Sequence, residues 1–269
     1  MTDCPSGPTA SALASTHSIS PRADFCGAWR AEWTKLTSVR STVWLLGLMA
    51  AVLVGIAVLV GATESLQPDD TILGGSLTGA STAAIVAGIL GVLAISSEYG
   101  NGTIRTTFMA LPRRGTVLAA KAVVVAGPVL AVALFASTAA YLVANALLPE
   151  GVYASGEPMP ALVGIALAFS ATSVLGLAAG TILRHSAGAI TVVIAILLIP
   201  VLIGPLFGDL ERWITGAIPG AALQKLAQSS DAVPEAIGSV GPWPSLLIVC
   251  AYSATSLVVA ALVLKRRDA

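Results

Sequence analysis

Residues 97–121 read SEYGNGTIRTTFMALPRRGTVLAAK and lie between two long apolar runs, 72–96 and 121–148. That contrast decides the fold class. Residues 72–96 and 122–148 contain no charged side chain, whereas Glu98, Arg105, Arg113, Arg114 and Lys121 crowd into the segment between them. Gly100, Gly102, Pro112 and Gly115 punctuate it. A run of this length and apolarity crosses the roughly 30 Å of bilayer hydrocarbon as a helix, because only a helix satisfies its own backbone there. A bare reversal between two such helices needs few residues. A charged, structured loop in that place is expected to dock a partner.

The rest of the chain agrees with this class. Apolar residues make up 56% and charged ones 10%, with a mean hydropathy of +0.88, against about one quarter charged in soluble domains. The fold class expected is an all-α integral membrane protein with six transmembrane helices, at about 42–62, 72–96, 121–148, 160–183, 188–208 and 244–264. Residues 1–23, rich in Ser, Thr, Ala and Pro, read as a disordered tail, 24–40 as an amphipathic interfacial helix, 41–264 as the transmembrane domain and 265–269 as a basic tail. Cys4, Cys26 and Cys250 show neither a pairing pattern nor metal-ligand spacing and read as free thiols.

Lys and Arg set the orientation. Twelve of the fourteen fall in alternate compartments, at Arg22, Arg30, Lys35, Arg40, Arg105, Arg113, Arg114, Lys121, Arg184, Lys265, Arg266 and Arg267. Only Arg212 and Lys225 fall in the others. The basic side is expected to be cytoplasmic, which puts both termini inside and the chain in the plasma membrane as a multi-pass protein. In 24–40, Trp29, Trp33 and Leu36 recur at helical spacing beside Arg30 and Lys35, as in a helix lying at the inner membrane surface.

Within the spans, small residues recur every fourth position at Gly75, Gly79, Ala83, Ala87 and Gly91, and again at Gly164, Ala168, Thr172, Gly176 and Gly180. Such stripes let membrane helices approach closely; a Gly/Ala-rich composition also produces them by chance. Gly127-Pro128, Pro200 and Pro205 are expected to kink their helices. Thr138, Tyr141, Asn145 and Tyr252 are candidates for a substrate path, with helix–helix hydrogen bonding as their plainer role. No acid or base sits in the middle of a span, so ion coupling lacks a carrier. None of the four lysines follows a glycine, which excludes a P-loop. His17 and His185 have no companion ligands, so no metal site is expected, and His185 reads as a solvated turn residue. No catalytic set is arguable, and the chain is read as not an enzyme.

Residues 103–111 can form a short helix along the membrane, with Ile104, Phe108 and Leu111 on one face, Arg105 exposed, Pro112 as its end, and Arg113 and Arg114 following. With this element the pattern resembles the permease subunit of ABC-2 type transporters, as found in actinobacteria. RAEWTKLTSVRST at 30–42 and EYGNGTIRTTFMALPRRGTVLAAK at 98–121 carry the likeness. The resemblance implies that 98–121 holds the coupling helix, with Glu98, Gly102, Thr103, Pro112, Arg113 and Lys121 on the motif. It implies a separate ABC ATPase subunit that binds the ATP and Mg, a second permease copy (identical or paired), and export as the usual direction. This chain then needs no cofactor of its own, and lipid, not nucleic acid, is its other partner. It further implies an extracellular re-entrant region at 209–243, broken at Pro219-Gly220. The alternative function is a non-transporting anchor or sensor that recruits a cytoplasmic ATPase.

Overall fold

The computed structural model describes residues 21–67, 69–100, 102, 114–149, 151–230 and 232–267. Among these residues the regular elements are helices: α1 (Pro21–Ser38), α2 (Arg40–Thr63), α3 (Ile72–Ser76), α4 (Ala80–Gly100), α5 (Arg114–Leu147), α6 (Pro158–Leu183), α7 (Ser186–Ile203), α8 (Glu211–Ile214), α9 (Pro219–Leu226), α10 (Pro234–Ile237) and α11 (Pro242–Arg267). A 3-10 stretch, Gly204–Leu210, joins α7 to α8. Six helices, α2, α4, α5, α6, α7 and α11, are long and apolar enough to cross a bilayer. The chain is therefore built as a multi-pass membrane protein.

Burial separates an inner from an outer set. In its most apolar window α6 is 72% buried, while α2 and α7 are 17% buried. α6 packs against α4, α5, α7 and α11, and α2 packs against α5 and α4. The outer helices turn large apolar side chains outward, among them Trp44, Leu202 and Leu247, as lipid-facing surfaces do.

Helix boundaries depart from the expected ones for local reasons. The second span does not begin at residue 72. Ile72–Ser76 is a separate buried helix, started by the Thr71 hydroxyl, which accepts from the Gly74 N–H at 2.9 Å. A turn at 77–79 follows before α4 begins. The third span begins at Arg114, so Lys121 lies about 10 Å inside α5 rather than marking its start. α5 and α7 run through Pro128 and Pro200 as single helices. Pro205 stands where α7 gives way to the 3-10 stretch. Pro219 starts α9 instead of breaking a helix, consistent with a residue that lacks only a donor the first turn leaves unused.

The two stripes of small residues meet in part. A Cβ added at Gly91 would sit 1.8 Å from the Ser173 carbonyl oxygen, and one at Gly176 would sit 2.0 Å from that of Gly88. Gly180 faces Ile95 and the Val92 carbonyl. These residues form the α4–α6 seam. Gly75 and Gly79 do not belong to it, because both precede α4; they face Leu66 and Ile56. Gly164 seats Leu226 of α9 and Trp243 of α11.

The end of the bundle opposite α1 is closed by short elements. In α9, Ala221, Ala222, Leu223 and Leu226 are buried against α6, α11 and α4. The Gln228 side chain binds both ways to the Glu157 backbone, at 3.0 and 3.2 Å. Asp70 Oδ1 accepts from the Thr71 and Ser230 amides. These bonds join the α2–α3, α5–α6 and α9–α10 connections.

Candidate functional site: a buried charge cluster at one end of the bundle

α4 ends and α5 begins at the same end of the bundle, and α1 lies across them. Three side chains converge there in burial: Glu32 of α1 (3% exposed), Glu98 of α4 (8%) and Lys121 of α5 (4%). The Lys121 ammonium donates to Glu32 Oε2 in a close ion pair, to Glu98 Oε1 at 2.9 Å, and to the Ala94 carbonyl at 3.5 Å. All three of its protons have an acceptor, which an ammonium out of water requires. Lys35 donates to Glu32 Oε1 at 3.0 Å and Glu98 Oε1 at 3.2 Å. Two carboxylates and two ammonium groups thus meet in this cluster.

The local sequence makes this arrangement possible. Glu32 and Lys35 are three residues apart on a helix and so share a face. Glu98 lies in the last turn of α4, and Lys121 lies two turns into α5, level with it. Burial of Lys35 pushes its pKa down. Its hydrogen bond to Glu32 and the charges of Glu32 and Glu98 outweigh that, and the net effect raises it above the ordinary lysine value. A lysine raised on folding adds stability below its unfolded pKa of about 10.5 and loses it as pH climbs through the higher folded value. Between about pH 9 and pH 12, the thermal midpoint of the wild type should therefore fall further than that of Lys35→Met. Parallel curves would show that the pair adds nothing.

The cluster walls a cavity of ≈ 310 Å³ beneath the α1–α2 corner, with Leu45, Leu90, Leu93 and Val124 along its apolar side and Ser41 and Thr42 at the other. Nearby, the Arg184 guanidinium lies 5.4 Å from the centroid of the Tyr99 ring, within cation–π range. Arg184 ends α6 in the left-handed region (φ 54).

Several residues singled out in the sequence come together here, and others do not. Glu98, Lys121 and Lys35 share the cluster. Trp29 and Trp33 stack at 6.1 Å and are exposed, as is Arg30. Leu36 faces the core instead of sharing their face. Gly102 is an exposed turn residue at φ 69. Thr103, Arg105, Phe108, Pro112 and Arg113, and with them the expected 103–111 helix, lie outside the described residues. Arg114 opens α5. The Thr138 hydroxyl bonds back to the Leu134 carbonyl at 2.7 Å. Tyr141 packs against the Ala144–Leu148 cluster, Asn145 is exposed, and the Tyr252 hydroxyl finds no partner among the described residues. None of these four lines either of the two cavities described here. His185 is not a bare turn residue: its Nδ1 accepts from the Gly188 N–H at 3.1 Å and caps α7.

Glu32 was missed by sequence reasoning. Its signal is an acid in the middle of α1, between Arg30 and Lys35 and three residues before that lysine. Among the described residues, no group of His, Cys, Asp and Glu could hold a metal ion. No protein-family model matches the chain, and a search of curated proteins finds no match.

Proposed function

We propose that this chain is the membrane-spanning permease subunit of an ATP-binding cassette exporter, with ATP hydrolysed by a separate subunit that docks on residues 98–121. In this reading the chain lies in the plasma membrane with both termini cytoplasmic, and the short helices of 204–237 cap its outer end. Two permease copies and two ATPases make the working unit. The sequence likeness at 30–42 and 98–121 and the twelve-to-two bias of basic residues support it.

One observation carries the mechanical part. Glu98 and Lys121 bracket the 98–121 segment, they pair with each other, and both bind residues of α1. A force on the segment is then shared by α1, α4 and α5. The segment is the inlet for work because the charges inside the spans, Glu98 and Lys121, lie near its ends and are paired, and the middle of each span carries none that could couple an ion gradient.

Arg113→Ala is the sharper test than any change at Glu98, since Glu98 is buried in the cluster. Solubilised wild type is expected to retain an ATPase chain in near-equal amount. Arg113→Ala should insert normally yet lose most of the ATPase stimulation in proteoliposomes. Undiminished stimulation would remove the docking claim. A cysteine placed near Arg113 that reacts with an impermeant reagent on intact cells would overturn the orientation.

A further inference from the structure

A second cavity, ≈ 350 Å³, lies at the end of the bundle opposite the charge cluster, between the start of α4, the end of α7 and the short helices α8 and α9. Its walls are mostly aliphatic: Ile85, Leu197, Val201, Ile218 and Ile237. A volume of this order suits a small ligand. One ionisable side chain lines it, Glu211. Among the described residues the Glu211 carboxylate makes neither an ion pair nor a hydrogen bond. The side-chain amide of Gln224, also in the wall, has no protein partner among them either.

This composition is selective. Polar groups facing an apolar space need a hydrogen-bonding partner. Here the partner must come from water or a ligand. A carboxylate accepts only, and the Gln224 carbonyl is free to accept beside it. An ammonium group supplies donors to both and cancels the one charge. The aliphatic wall takes an apolar body. We infer that this cavity binds a small apolar amine in its cationic form, with the ammonium at Glu211 and Gln224 and the hydrocarbon against Ile85, Leu197 and Val201. The site needs no ATPase, so its test is independent of the coupling reading.

The test uses three probes with one aromatic body: 2-phenylethylammonium, 2-phenylethanol and 3-phenylpropionate. Binding to the purified full chain in nanodiscs of zwitterionic lipid is read by saturation-transfer NMR, with empty nanodiscs subtracted. The cation is expected to bind about tenfold or more tightly than the alcohol, a charge-assisted pair being worth about 1.4 kcal/mol or more. The anion should not bind. Glu211→Gln should bring the cation down to the level of the alcohol, and Thr82→Trp, at the exposed rim, should block both. Equal binding of cation and anion to the wild type would overturn the assignment without any variant. So would unchanged cation binding in Glu211→Gln, or no cation signal above empty nanodiscs.

Discussion

Lys121→Met should be the most damaging single substitution at the charged end of the bundle, costing about 3–5 kcal/mol. The methionine keeps the apolar stem but removes three donors. Glu32 and Glu98 then remain buried with like charges facing each other. Lys35 still reaches one oxygen of each, but its side chain is 41% exposed and it cannot enter the space that Lys121 vacates. The loss therefore reflects two buried carboxylates short of one cation more than the value of the pair itself. A double change distinguishes the two. Lys121→Met with Glu98→Gln removes one charge of each sign and should be less damaging than the sum of the singles by about 1–3 kcal/mol. Unfolding in a denaturing detergent, with each variant in the same mild host micelle, measures both quantities. Additive losses would mean that the two side chains do not depend on each other.

The same cluster shows why some of this molecule was legible in its sequence and some was not. The six long helices follow from uninterrupted apolar runs, and their number is the number of such runs. Their ends were harder, because a charged residue looks like a boundary. Lys121 is the instructive case. A lysine in an apolar run signals exit from the membrane only if its ammonium has nowhere else to go. Here two carboxylates from other helices receive it, and α5 continues past it for two turns in the direction of Arg114. Glu98 reads as a terminal acid, but the two lysines that pair with it lie 63 and 23 residues away. No local period encodes a pairing at that range. Glu32 was hidden for a second reason. A basic helix before a first span is fully explained by topology and interfacial binding, so its one central acid carried no separate signal. The cavity at Glu211 is assembled from five helices, α4, α7, α8, α9 and α10, and no one of them shows it. The short buried helix α3 merges with a span in the sequence because Gly74 and Gly75 do not interrupt an apolar run.

Gly91→Ala and Gly176→Ala should each destabilise the bundle by about 3 kcal/mol or more, beyond the usual range for adding a methyl group to a packed core. The reason is what the methyl would meet. At Gly91 the obstacles are the Ser173 carbonyl and the Leu177 amide; at Gly176 they are the carbonyl carbon and oxygen of Gly88. Backbone atoms in the middle of a helix cannot rotate aside as a side-chain tip can, so α4 and α6 must separate along their length. The seam would lose packing at Ala87, Val92 and Ala178, all nearly or fully buried. In lipid no hydrophobic gain compensates for the separation, because a bilayer solvates the freed surface as well as the neighbouring helix does. Gly55→Ala and Gly47→Ala are the controls. Neither site has a heavy atom within 4 Å of the added Cβ, and alanine favours a helix by up to about 1 kcal/mol over glycine. They should leave stability unchanged or raise it. If all four glycines responded alike, the stripe would be an accident of a glycine-rich composition, and the α4–α6 seam would owe its closeness to something other than those residues. A steep loss at 91 and 176 with none at 55 and 47 would instead tie the innermost packing of this protein to two hydrogen atoms.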